Sequence, residues 1–255
     1  MQAKYDFTGK VALVTGASSG IGRATAELFG SCGAKVAVTY HHNEKGANEV
    51  VDKITESGGK AIAIQADFNK MSDVKNVVER TQNELGDVDI LVNNAGSLVE
   101  RLRTNVLTEE RWDEVFALNV KSAFFAAQLV IPQMLEKKDG VIVNVTSIAG
   151  RNGGAPGSIH YSSAKAAMLT MTKGLAKEFA AQGIRVNAVS PGVIDTPFHE
   201  DFSTPEAMKN FANIIPIGRV GKSSEVATVI AFLASDAASY LAGETIEING
   251  GMLMD

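Results

Sequence analysis

Apolar residues in this chain gather in short, β-branched runs that alternate with longer amphipathic stretches. Lys10-Val-Ala-Leu-Val-Thr15 precedes a helix-like stretch at 21–31, which leads into Lys35-Val-Ala-Val-Thr-Tyr40. A polar helix is predicted over about 44–57, a strand over 61–65, a helix reaching Leu85, and a strand over 88–92. Later strands are predicted at 141–145, 184–189 and 244–248, and long helices at about 120–135 and 158–181. Strands this short and this continuously apolar belong to a parallel sheet buried on both faces, because its crossover helices lie there. The expected fold class is α/β, a doubly wound parallel sheet in a single domain spanning 1–255.

No repeat, linker or low-complexity segment breaks this rhythm. One stretch, 195–217, departs from it, with Pro197, Pro205 and Pro216 around a short helix-like piece at 205–211. It follows a strand's C-terminal end, where ligands bind in open α/β sheets, so a substrate lid is expected. A plain surface excursion is the alternative.

Composition narrows the function classes. At 255 residues the chain suits one domain better than two. A net charge of −5 argues against a nucleic-acid surface and fits a small-molecule substrate. The single cysteine, Cys32, has no internal disulfide partner, and no Cys/His cluster has metal-ligand spacing. The polar start, Met1 to Phe7, does not read as a signal peptide, and no apolar run reaches the length of a membrane span. The expected location is the cytoplasm, with no membrane partner.

Candidate chemistry starts at the turn between the first strand and first helix, Thr15-Gly-Ala-Ser-Ser-Gly-Ile-Gly22. Gly16, Gly20 and Gly22 allow a tight turn, close approach of backbone to a pyrophosphate, and close packing of helix on strand. The helix start, with Ser18, Ser19 and Ile21, presents free N–H groups and a positive dipole end to phosphate. Many dinucleotide folds place an acid at the end of the second strand to hold the ribose 2′-hydroxyl. Here that position reads Thr39-Tyr40-His41-His42-Asn43, with no acid before Glu44. Nothing there repels a 2′-phosphate, and Ser18, Ser19, Asn43 and Lys45 are within reach of one.

Three further motifs follow in order: Asn93-Asn-Ala-Gly96, Ser147 in Val143-Asn-Val-Thr-Ser147, and Tyr161-x-x-x-Lys165. Hydride transfer to a carbonyl builds negative charge on oxygen, so a site must stabilise that charge and supply a proton. Tyr161 is the candidate acid/base, and an ammonium one helical turn away, at Lys165, favours its phenolate.

Together, over nearly the whole chain, these motifs resemble the short-chain dehydrogenase/reductase family, most closely its 3-oxoacyl-carrier-protein reductases and bacterial sugar or polyol dehydrogenases. The resemblance implies a Rossmann-type fold and an NAD(P)-dependent oxidoreductase acting on a carbonyl or alcohol. NADP is favoured over NAD, with His42 at a position often held by Arg in NADP-using members. It implies a catalytic set of Asn119, Ser147, Tyr161 and Lys165. Ser147 orients the substrate oxygen, Lys165 also binds the nicotinamide ribose, and Asn119 holds a water that links Lys165 to solvent. It further implies cofactor contacts from Asp67 to the adenine, from Asn93, Ala95 and Gly96, and from Pro191, Gly192, Val193 and Thr196 to the nicotinamide carboxamide. A homotetramer is expected, pairing the helices at about 120–135 and 158–181 and, at a second contact, the segment 243–254.

Two features depart from the common pattern. The Ser147-to-Tyr161 interval is one residue longer than in many similar proteins, through the loop Arg151-Asn-Gly-Gly-Ala-Pro-Gly157. Arg101 and Arg103 lie where they would hold an anionic substrate group, although solvated or subunit-contact arginines are the commoner case. A catalytically inactive dinucleotide-sensing regulator is the alternative function, and would lack part of the four-residue set.

Overall fold

A computed structural model describes residues 5–202 and 205–254. Its strands are β1 Val11–Val14, β2 Lys35–Tyr40, β3 Lys60–Gln65, β4 Ile90–Asn93, β5 Gly140–Val145, β6 Ile184–Pro191, β7 Ile194–Asp195, β8 Gly221–Lys222 and β9 Thr245–Ile248. Seven of these form one parallel sheet in the order β3-β2-β1-β4-β5-β6-β9, while β7 and β8 pair with each other. The order reverses between β1 and β4. In a doubly wound sheet that reversal opens a crevice at the carboxyl ends of the strands.

Helices cover both faces, as the apolar runs predict: α1 Gly20–Ser31, α2 Glu44–Glu56, α3 Met71–Leu85, α4 Glu109–Phe116, α5 Ser122–Lys137, α6 Ala149–Asn152, α7 Ile159–Phe179, α8 Pro197–Phe202, α9 Pro205–Ile214 and α10 Ser223–Ala234. Successive strand residues point to opposite faces. Thus Ala12 and Val14 pack with Phe29 of α1 and Ile230 of α10, whereas Val11 and Leu13 pack with Val78 of α3 and Val130 of α5. The continuous apolar runs are needed because both sets are buried.

The segment before the predicted helix at 120–135 is the main structural surprise. Helix runs unbroken from α4, through a π-helical turn at Ala117–Lys121, into α5. The resulting 29-residue helix, Glu109–Lys137, is long and apolar enough, by length and composition, to cross a membrane. This corrects the expectation that no run reaches that length. Ala126, Ala127, Val130 and Met134 account for much of its apolar character, because they pack into the core beneath the sheet.

The excursion at 195–217 contributes α8 and α9, leaving residues 203–204 outside the described set. Residues 1–4 of the polar N-terminal start also lie outside it.

Candidate active site

The crevice at the β1/β4 reversal is a cleft of about 570 Å³. One side is the glycine turn. Gly16 and Gly20 adopt left-handed backbone angles, φ +63° and +56°. A Cβ on Gly16 would meet Ala95 Cα at 3.0 Å, so the turn presses against the loop after β4. That contact is tied by hydrogen bonds: the Gly16 amide donates to Thr39 Oγ1 at 2.9 Å, and the Asn94 amide group donates to the Thr15 and Gly16 carbonyls at 2.8 and 2.9 Å. Thr15 Oγ1 in turn accepts from the Asn94 and Ala95 amides, both at 2.9 Å. Asn94 was passed over in the sequence, although it is the second amide of the Asn93-Asn-Ala-Gly96 motif.

Ser19, Gly20 and Ile21 line the cleft at the start of α1. The Ser19 side chain makes no capping bond and the first turn carries no acid, so the helix's free amides face the cleft uncapped. That donor set fits a dinucleotide diphosphate. Gly22 serves packing instead: a Cβ there would sit 2.4 Å from the Gly16 carbonyl oxygen. Ser18 offers its carbonyl to Asn43 at 3.3 Å, and Asn43 caps α2 through the Gly46 amide at 3.0 Å.

At the end of β2, the His41 and His42 rings are exposed and lie with centroids 3.6 Å apart. Burial and the Glu44 carboxylate, which accepts from the Tyr40 hydroxyl, push that phenol above its usual range. Asp67 is half-buried after β3. Burial acts to raise its carboxyl, but hydrogen bonds from Asn69 and Lys70 outweigh it and hold the group below the usual carboxylate range. Asn93 is 2 % exposed and bonds Asn144 at 2.9 Å and the Ala123 carbonyl at 3.2 Å. Its side chain links β4 to β5 and α5; it lies under the cleft floor and does not line the cleft.

The other wall carries the candidate reactive groups. Tyr161 and Lys165 share α7, and both line the cleft with Ser147. Ser147 Oγ accepts from the Ala149 amide at 3.1 Å, which leaves its proton free to point at the Tyr161 hydroxyl. Burial pushes the Tyr161 phenol up to about 12, and the Ser147 hydrogen bond works against that rise. Thr146, its neighbour, donates instead to the Val189 carbonyl at 2.7 Å. Lys165 is 3 % exposed and donates to the Val145 carbonyl at 2.9 Å. Burial pulls its ammonium down to about 8.

Asn119 lies in the π-helical turn. The turn displaces a backbone donor, and the Asn119 amide group replaces it by donating to the Val115 carbonyl at 2.9 Å while reaching Ser97 O at 2.8 Å. Asn119 Oδ1 is buried without a partner and faces Gly96. Pro191, Gly192, Val193 and Thr196 complete the cleft beyond β6.

Arg101 stands at the rim and donates to the Pro156 and Phe202 carbonyls at 3.3 and 3.2 Å. Arg103 is exposed and does not line the cleft. The expected arginine pair is therefore a single cleft residue. Phe198, Phe202 and Phe211 of the excursion also line the cleft. Only the position of their segment was legible in the sequence.

Residues 16–253 match the family profile described as Enoyl-(Acyl carrier protein) reductase. The chain is 42% identical to the 3-oxoacyl-[acyl-carrier-protein] reductase of Synechocystis sp., covering 97% of this chain and 98% of that one. It is likewise 42% identical to the enzyme of that name from Thermotoga maritima, over 96% and 98% of the two chains. The chain belongs to the short-chain dehydrogenase/reductase family. It is thus an NAD(P)-dependent oxidoreductase. A solved structure of a proposed short-chain alcohol dehydrogenase from Sinorhizobium meliloti superposes with a TM-score of 0.91 at 37% identity, over 98% of both chains. A proposed NAD(P)-dependent gluconate 5-dehydrogenase from Beutenbergia cavernae, solved with bound NADP, gives 0.91 at 34% identity, over 98% and 99%.

Proposed function

We propose that this enzyme reduces the keto group of an apolar acyl substrate of the 3-oxoacyl thioester class, with NADPH as hydride donor. The observation that carries the substrate class is the apolar lining beyond Ser147 and Tyr161, built by Leu98, Ile148, Phe198, Phe202, Phe211 and Met252. A polyol placed against that wall would leave hydroxyls without partners, at a cost of about 1–3 kcal/mol each. An alkyl chain gains by the same contact. NADPH is favoured by the lack of an acid between Thr39 and Asn43 and by the NADP in the Beutenbergia structure.

In this reading α8 and α9 form a lid over a single catalytic domain. The helix start at Ser19 to Ile21 holds the diphosphate, Asp67 the adenine end, and the backbone of Ala95 to Gly96 with residues 191–196 the nicotinamide end. When bound, the reduced nicotinamide supplies a hydride to the carbonyl carbon. Ser147 donates a hydrogen bond to the carbonyl oxygen as negative charge gathers there. Tyr161 transfers its hydroxyl proton to that oxygen, and the resulting phenolate is stabilised by the Lys165 ammonium. Asn119 Oδ1 accepts from a water that returns a proton to Tyr161 by way of Lys165. All four residues are present, which sets aside the inactive-regulator alternative.

The test is a screen of the purified protein against acetoacetyl-coenzyme A, longer 3-oxoacyl thioesters and keto sugars, each with NADPH and NADH, followed by nicotinamide absorbance. Turnover of thioesters with NADPH at the highest kcat/KM is expected. Preference for a keto sugar would overturn the substrate class, and preference for NADH would overturn the cofactor.

A further inference from the structure

Val99 is one of two non-glycine residues among the described ones with a positive φ, at 63°. The Glu100 amide donates to the Leu98 carbonyl two residues back, at 2.7 Å. A tight turn of this hand is strained for any L residue, and most of all for a β-branched one. Strain of about 1–3 kcal/mol persists only where the surroundings hold it in place.

Here the holding group is visible. His160 is fully buried, and its Nε2 lies 3.2 Å from the Leu98 carbonyl and 3.0 Å from the Glu100 carbonyl, the two acceptors that flank Val99. Two carbonyls on one nitrogen require that Nε2 carry the proton. Nδ1 is buried with no partner. This orphaned atom marks a histidine kept for its one forked donor rather than for packing alone. The turn is fastened on either side as well: Asn119 donates to Ser97 O at 2.8 Å, and the Leu102 amide donates to Gly157 O at 3.0 Å.

Ser97 and Leu98 line the cleft, and His160 immediately precedes Tyr161 on α7. We propose that His160 is a positioning residue that holds the strained 98–100 turn, and so fixes the Leu98 wall of the carbonyl pocket relative to Tyr161. One helix turn then references both the proton donor and the surface that the substrate's carbon skeleton rests against. A wall contacts ground state and transition state alike, so its displacement weakens binding more than it slows the chemical step.

The kinetic part rests on the proposed carbonyl reduction; the structural part does not. His160→Leu removes the forked donor at similar volume, whereas His160→Gln keeps an amide N–H₂ at nearly the same reach. His160→Leu is expected to raise KM for the carbonyl substrate about tenfold, to change kcat less than about threefold, and to leave NADPH affinity unchanged. His160→Gln should retain most of the wild-type KM. Hydrogen exchange in the full chain, read without any substrate, should show the amides of Val99, Glu100 and Leu102 opening faster in His160→Leu and not in His160→Gln.

Val99→Gly relieves the strain at this φ, so adding it to His160→Leu should recover part of the lost protection and KM. Unchanged exchange at 99–102 in His160→Leu overturns the proposal. Equal damage by Leu and Gln, or failure of Val99→Gly to recover anything, also overturns it. If His160→Leu does not fold, the comparison of His160→Gln with wild type decides: loss of protection at 99–102 in that variant refutes the fork. Wild-type inactivity toward every carbonyl would refute the proposed function and leave the exchange result to judge the turn.

Discussion

Lys165 holds its ammonium nitrogen 5.5 Å from the centre of the Tyr161 ring, one turn along the same helix. Sequence spacing alone suggests that the ammonium lowers the phenol. In the folded chain, burial carries Tyr161 up to about 12, and the influence that works against it is the Ser147 hydrogen bond. A phenol held protonated near neutrality suits the reductive direction, in which it acts as an acid. Tyr161→Phe should therefore cut kcat by at least roughly 10²–10⁴-fold while NADPH binding, read by fluorescence titration, stays nearly intact. Near-normal turnover would remove Tyr161 from the mechanism.

Burial of Lys165 carries a stability cost. Its folded-state pKa of about 8 lies below the ordinary 10.5, so the folded chain holds this proton less tightly than the unfolded one. The penalty is present in full below about pH 8 and fades as pH rises to 10.5. At about 1.4 kcal/mol per pH unit, it amounts to about 3 kcal/mol at neutrality, partly offset by the hydrogen bond to Val145. Lys165→Met should thus raise the unfolding midpoint at pH 7 by a few degrees and weaken cofactor binding. The stability gain should shrink between pH 8 and pH 10.5. A lower midpoint at pH 7 would show that the ammonium is well solvated in the fold.

The sheet was legible because both faces of each strand are buried, which leaves runs such as Val11–Val14 and the Ile90-Leu-Val92 part of β4 with little choice but apolar residues. Gly16, Gly20, Ser147, Tyr161 and Lys165 were legible because their spacing is fixed by one strand, one turn and one helix face. Asn94 and His160 were not. Each acts through carbonyls far away in sequence, Asn94 across 78 residues and His160 across 60 and 62, and a carbonyl has no side-chain signature. The π-helical turn was hidden for the same reason, since its anchor is Asn119 bonding to the Ser97 carbonyl.

Gly96 is required by what surrounds it. A Cβ there would lie 2.4 Å from Asn119 Oδ1 and 3.1 Å from Lys165 Nζ. Overpacking at such a point costs about 1–3 kcal/mol and displaces the groups it touches. Gly96→Ala should reduce kcat/KM by about 10²-fold through misplacement of those groups. Against an Asn119→Ala background the same change should cost far less, because the colliding oxygen is gone. Equal losses in both backgrounds would show that Gly96 matters for another reason.

The last prediction concerns assembly. Ala123, Ala126 and Ala127 of α5 turn inward and are buried within the subunit, so they do not supply the free face expected from the sequence. Phe124 does: it is 38% exposed and stands with Phe116, Val120 and Met171 in a surface groove beside α4 and α7. Ile217 and Met254, 63% and 76% exposed, mark a second apolar region near the C-terminus. Large apolar side chains grouped on a protein surface favour a partner, and two distinct self-complementary contacts close as a tetramer with D₂ symmetry. Light scattering at micromolar concentration should give four subunits of 26.9 kDa each. Phe124→Lys should break the first contact and leave dimers held by the second. A wild-type mass of one subunit would refute both contacts; a wild-type dimer that survives Phe124→Lys would place the interface at the C-terminal region alone.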